Sequence, residues 1–157
     1  MSFLKGVKFF RLTIVILLFL VSLTTIPPKG YCDDWVYSNS WEDFTQYYNS
    51  SSIIIDKQDK IIKVWEKRIY TNKGRINLLN NCDRIEIPMY KKISYSLILN
   101  LIDYNNRKFT PIWIAHYSEF DQVLFSLKYK PEWNQIITDS IGDNIYTQLI
   151  KKYNIQR

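Results

Sequence analysis

Histidine is almost missing from this 157-residue chain: His116 stands alone, beside only two cysteines, two methionines and four glycines. A single histidine removes schemes that need a His pair, and no Cys/His cluster has the spacing of a zinc site. As a general base His116 would need a nucleophile next to it. Placed between Ala115 and Tyr117, it reads as a structural or strand-surface residue. The nucleotide fingerprint G-x-G-x-x-G, the Walker A loop and the G-x-S-x-G elbow are all absent, and four glycines leave little material for a phosphate loop. Asp56 and Asp59 are separated and followed by lysines, a poor oxygen cage for calcium, and read as a solvated turn. Glu119 and Asp121 flank Phe120 in what reads as a hairpin turn; a paired-carboxylate hydrolase would also need a cleft. No catalytic, cofactor or metal site is expected, and the chain is read as non-enzymatic.

Low glycine and five prolines also exclude collagen-like and flexible-linker readings. What the chain does have is apolar and aromatic residues, 46% and 16% of the total, with tyrosine foremost. That composition fits a globular, β-rich domain.

The net charge of +6 suggests a nucleic-acid partner until its distribution is considered. Lys5, Lys8, Arg11 and Lys29 fall within residues 1–32, which hold no carboxylate. Without them 17 basic residues face 15 acidic ones, so the remainder is nearly neutral and no nucleic acid is expected. The same segment has a positive start, an uncharged apolar run over residues 12–23, then Pro27-Pro28 and Gly30-Tyr31-Cys32. This is the order of a signal peptide cleaved before Asp33. The run is short for a bilayer span, so an uncleaved N-terminal anchor ranks second. The expectation is a signal peptide over 1–32, a single domain over 33–157, and membrane contact only through an uncleaved signal. Cleavage leaves Cys82 a lone thiol in an oxidising compartment, whereas retention of Cys32 allows a Cys32–Cys82 disulfide; the sequence leaves both open.

Aromatic-rich stretches at 35–38 and 44–48 read as a hairpin, and residues 60–70 as a strand. In that strand Ile61, Lys63, Trp65, Lys67 and Ile69 share one face, while Ile62, Val64, Glu66, Arg68 and Tyr70 share the other. Residues 72–92 read as a long connection with turn signals at Lys73-Gly74 and Asn80-Asn81. Residues 93–104 form a strand whose apolar face carries Tyr95, Leu97, Leu99 and Leu101. Asn105-Asn106 supplies the turn into a strand over 108–117, and a third follows over 122–129, making a meander. The period then changes: Ile141, Ile145, Leu149 and Tyr153 mark a helical stripe, started by Ser140 and Asp143 in the manner of a capping box. A sheet with one bare face and a terminal amphipathic helix is solved by laying the helix on the sheet, an α+β fold.

The order Trp35, Tyr47-Tyr48 before Ser51-Ser52-Ile53, Lys63-Val64-Trp65, the strand from Tyr95 to Asp103, and Trp133 to Ile136 leading into Asp139-Ser140-Ile141-Gly142 resembles the surface-adhesin protein E family. The resemblance implies an exported bacterial envelope protein with a curved antiparallel sheet of about six strands and a C-terminal helix packed on one face. It also implies binding of host extracellular-matrix proteins. Family members carry a cysteine after the Asp of the central strand and another in the helix; here Tyr104 follows Asp103 and the helix has none. The resemblance assigns no ligand-contact residue.

The functional expectation is therefore an exported, non-enzymatic protein of the periplasm or cell surface that works by protein–protein contact, adhesin-like. Its partners are host extracellular-matrix or other envelope proteins. Tyr37, Trp41, Tyr47 and Tyr48 are the candidate contact aromatics, because Tyr and Trp are favoured at interfaces. Open sheet edges make a homodimer by strand pairing a further expectation. The alternative is a periplasmic small-ligand-binding or accessory domain with its ligand between helix and sheet.

Overall fold

The computed structural model describes residues 34–81 and 90–156. Residues 1–32, expected to be a signal peptide, and with them Cys32, lie outside the described residues, as does Cys82. The strands are β1 (Trp35–Ser40), β2 (Phe44–Asn49), β3 (Ile54–Asp56), β4 (Ile61–Tyr70), β5 (Ile93–Asp103), β6 (Lys108–Ser118), β7 (Val123–Lys128) and β8 (Asn134–Gln135). Helix α1 (Asn72–Asn81) follows β4, and helix α2 (Ile141–Lys152) ends the chain. The sheet runs β1-β2-β4-β5-β6-β7, with β3 added beside β4 and β8 beside β6, and every pairing is antiparallel. The expected α+β fold is present, with six strands in the main ladder and two short additions.

Strands β2 and β3 share one edge of β4: β2 reaches Glu66, and β3 starts at Lys63. The Trp65 N–H falls in the gap between them, and the Ser52 hydroxyl accepts it at 3.2 Å. A ladder donor is thereby kept satisfied where no strand lies alongside. Asn49 shapes the connection by accepting from Ser52 N–H at 3.0 Å, capping a short 3₁₀ turn over Ser50–Ser52.

The connection after β4 departs from expectation. Residues 72–81 form a helix rather than an irregular loop. Thr71 starts it, its hydroxyl accepting from Gly74 N–H at 3.0 Å while donating to the Glu42 carbonyl. Gly74 was a turn signal in sequence; its actual role is close approach, because a Cβ there would collide with the Asp43 carbonyl oxygen. The β5–β6 turn also differs in detail. Asp103 Oδ1 accepts from the Asn105 and Asn106 N–H groups, and the left-handed residue is Arg107, with φ 51°.

Helix α2 forms as its stripe requires. Ser140 accepts from Asp143 N–H at 3.2 Å, and Asp143 accepts in turn from Asp139 N–H and from Arg107 Nη2 at 2.7 Å. Ile145, Tyr146 and Leu149 are buried against Tyr48, Ile62, Val64, Ile102 and Tyr104. Tyr146 donates to the Tyr104 carbonyl at 3.2 Å. Tyr104 therefore packs in the helix–sheet core at the position where the resembled family carries a cysteine.

Candidate functional site

Strand alternation and the pairing register divide the sheet's side chains into two sets. The set under α2 contains Tyr48, Ile62, Val64, Glu66, Arg68, Ser96, Ile98, Asn100 and Ile102. The opposite set contains Trp35, Tyr37, Tyr47, Lys63, Trp65, Lys67, Tyr95, Leu97, Leu99, Trp113 and Tyr117.

Among the described residues no helix packs on this second face; its own rings roof it. Trp65 meets Trp113 edge-to-face at 5.0 Å, and Tyr95 stacks on Tyr117 at 4.8 Å. Lys67 Nζ lies 4.6 Å from the Tyr95 ring centre and 5.7 Å from that of Trp35, a cation held between two rings. Tyr37 meets Tyr47 edge-to-face at 6.0 Å. Tyr95 donates to Asp121 Oδ1 at 2.8 Å, fixing the ring at the sheet's far end. Burial, with a smaller contribution from Asp121, holds the Tyr117 phenol above its ordinary pKa, so it stays neutral.

The four aromatics singled out from sequence are not one patch. Tyr37, 54% exposed, and Tyr47 are brought together on the open face. Tyr48 points the other way and is 3% exposed in the core under α2, so it is withdrawn as a contact residue. Adjacent residues of one strand face opposite sides, which makes a Tyr47–Tyr48 surface pair unattainable. Trp41 lies half-buried in the β1–β2 turn, its indole N–H without a partner among the described residues. Trp35, Trp65, Lys67, Tyr95 and Trp113 escaped the sequence reading; shared parity across paired strands is the signal that finds them.

On the helix-covered face a polar cluster interrupts the core. Glu66, 2% exposed, accepts three hydrogen bonds: from Gln46 Nε2 at 2.9 Å, from Arg68 Nε at 2.5 Å and from Asn100 Nδ2 at 2.8 Å. Burial works against the charge on Arg68, but the adjacent Glu66 carboxylate, with help from Tyr70, outweighs it and holds the guanidinium above its ordinary pKa. The cluster walls a cleft of about 290 Å³ between the sheet and the first turn of α2.

Further along that face Tyr70 hydroxyl, Ser96 Oγ and His116 Nδ1 form a chain of 2.9 and 2.6 Å contacts. Burial lowers the His116 pKa to about 4, so the ring is neutral, and its tautomer sets whether Nδ1 or the Ser96 hydroxyl donates. The two residues have the spacing of a base and a nucleophile, but Ser96 is fully buried and the surroundings of His116 are packed by Tyr90, Ile93, Leu124 and Phe125 with no room for a water molecule. The arrangement serves packing. Among the described residues no three His, Cys, Asp or Glu side chains gather as metal ligands would, and no helix is long and apolar enough to cross a membrane.

The described chain is thus an open antiparallel sheet closed on one side by a terminal helix and roofed on the other by aromatic side chains. That is the fold of Haemophilus influenzae protein E. One solved structure of that protein matches with a TM-score of 0.53 at 16% identity, covering 84% of this chain and 96% of the other. Its selenomethionine form matches with a TM-score of 0.50 at 15% identity, covering 80% and 92%. At such identities the likeness is one of fold. No protein-family model matches the chain, and no curated protein matches it in sequence.

Proposed function

We propose that this is an exported, non-enzymatic envelope protein that acts by protein–protein contact through the open face of its sheet, as an adhesin for extracellular-matrix proteins. The observation that carries this reading is the aromatic layer with Lys67 at its centre, which no helix among the described residues covers, on a fold closed on its other face by one. Tyrosine and tryptophan rings are the residue types that dominate interface energetics, and Lys67 adds a half-buried charge between two of them. The protein E fold and the signal-peptide pattern of residues 1–32 support the same reading. The terminal strands of the ladder, β1 and β7, are the places where a second copy would add by strand pairing.

The test is solid-phase binding of the purified protein to immobilised matrix proteins, with surface fractionation of the producing cells. Tyr37→Ser together with Lys67→Ser should weaken binding at least tenfold while the melting curve changes little. Unaltered binding by that double variant, or a protein confined to the periplasm, defeats the proposal. The cleft beneath α2 favours a second, separate activity.

A further inference from the structure

We infer that the cleft between the first turn of α2 and the sheet is a binding site for a medium-chain aliphatic carboxylate. This inference is independent of the contact function assigned to the opposite face.

Three features of the cleft select that chemistry. The first is size: about 290 Å³ holds roughly ten water-sized groups, about the heavy-atom count of an eight-carbon fatty acid. The second is the wall. Ile98, Ile102, Ile114, Phe109 and Ile145 present hydrocarbon on the sheet and helix sides, which suits an alkyl chain and offers no partners to a sugar or a nucleotide base. Pro111 helps to open the space. It sits at a β-bulge, where Asn100 pairs with Pro111 and Leu99 with Trp113, leaving Ile112 as the extra residue in β6.

The third feature is the polar end. Arg68 lines the cleft, and its Nε–H is engaged by Glu66, which leaves the outer N–H groups of the fork to face a ligand acceptor. The guanidinium is held in place by the Phe44 ring, 5.0 Å from its carbon. Both Glu66 oxygens already accept hydrogen bonds from Gln46, Arg68 and Asn100, so the carboxylate is turned inward to its own partners. Ile141 and Gly142, the opening residues of twelve-residue α2, line the same cleft and bring the positive end of the helix dipole to it. The polar end is built to receive an acceptor with negative charge, and the rest to receive a chain.

Gly142 provides a variant that leaves the ion pair intact. A Cβ at that position would stand 3.4 Å from the Phe109 ring, an ordinary contact, and a longer side chain there would extend into the cleft beside Phe109. Gly142→Leu also exchanges the poorest ordinary helix former for a good one.

The experiment is calorimetric titration of the full purified protein with octanoate, octanol and octylammonium, using the wild-type chain, Gly142→Leu and Arg68→Met. The expected result is octanoate binding, at least about tenfold weaker binding of octanol because a charge-assisted hydrogen bond is lost, and no binding of octylammonium. Gly142→Leu, with its melting temperature kept or raised, should abolish binding. If Arg68→Met fails to fold, the ligand series on the wild-type chain still decides. Equal binding of octanoate and octanol, preference for octylammonium, or undiminished binding by Gly142→Leu each overturns the inference.

Discussion

Glu66 and Arg68 sit on the same face of β4, where the sheet should be oily, and their removal one at a time should differ sharply from their removal together. Glu66→Leu takes away the carboxylate that engages Gln46 Nε2, Arg68 Nε and Asn100 Nδ2. It leaves a guanidinium beside the Phe44 ring at the core edge and the Asn100 amide donor unpaired, while Gln46 Nε2 keeps only its 3.4 Å contact with the Ile141 carbonyl. Breaking a fully buried pair costs about 3–5 kcal/mol. The Arg68 side chain retains 25% exposure, and water reaching it reduces the penalty, so a loss of about 2–4 kcal/mol is expected. The double variant Glu66→Leu/Arg68→Met removes both charges and fills their volume with hydrocarbon, leaving only the Asn100 amide to find a new partner. It should recover at least half of the loss, because an ion pair replaced by packed apolar groups is near neutral in stability. Equilibrium unfolding in urea reads the difference: at a slope of about 1.5 kcal/mol per molar, Glu66→Leu moves the midpoint down by about 2 M and the double variant by under about 1 M. A single variant that costs less than about 1 kcal/mol, or a double variant no more stable than the single, would refute the claim that the pair is held mutually in a dry site.

Two further perturbations test other parts of the fold. Gly74→Ala should destabilise by about 1–3 kcal/mol in urea unfolding, even though alanine is the better helix former, because its methyl must displace the Asp43 carbonyl that Thr71 binds; a neutral or stabilising result would show that α1 packs differently. His116 has a folded pKa of about 4 against 6.5 unfolded, so the unfolded chain binds the extra proton between those values. Stability should be full above pH 6.5 and fall as pH drops toward 4, by about 1–3 kcal/mol given the ring's partial exposure; His116→Phe should flatten the dependence in that window, and an unchanged slope would remove His116 as its source.

Much of the fold was legible because period and pairing are properties of the chain itself. The alternation in residues 61–70 assigned both faces of β4 correctly, and the four-residue stripe from Ile141 located α2 together with its Ser140 cap. The connection after β4 was not legible. Asn-Lys-Gly reads as a turn by local preference, and only the Asp43 carbonyl, brought alongside by the β2–β4 pairing, explains a glycine in the first turn of a helix. In β5 the apolar Tyr95–Leu101 face is the open one, while Ser96 and Asn100 are buried under the helix side. Their polarity is tolerated because Ser96 meets Tyr70 and His116, and Asn100 meets Glu66. Hydropathy alone cannot anticipate a buried polar residue whose partner lies on another strand.

The contact surface shows the same division more sharply. Selecting aromatics by closeness in sequence joined Tyr47 to Tyr48, although a strand sends them to opposite sides, one to the open face and one to the core. Selecting them by parity and register instead runs from Tyr37 through Tyr47 and Lys67 to Tyr95 and Tyr117 across five strands. The parity was present in the chain; the register was not, because it depends on the bulge in β1 between Tyr37 and Asn39 and on another in β5–β6. Shifting β4 by a residue would put Trp65 and the lysines beneath α2 and turn Ile62 outside. The core under the helix therefore fixes the register, and the register in turn arranges the rings on the face that the helix leaves bare.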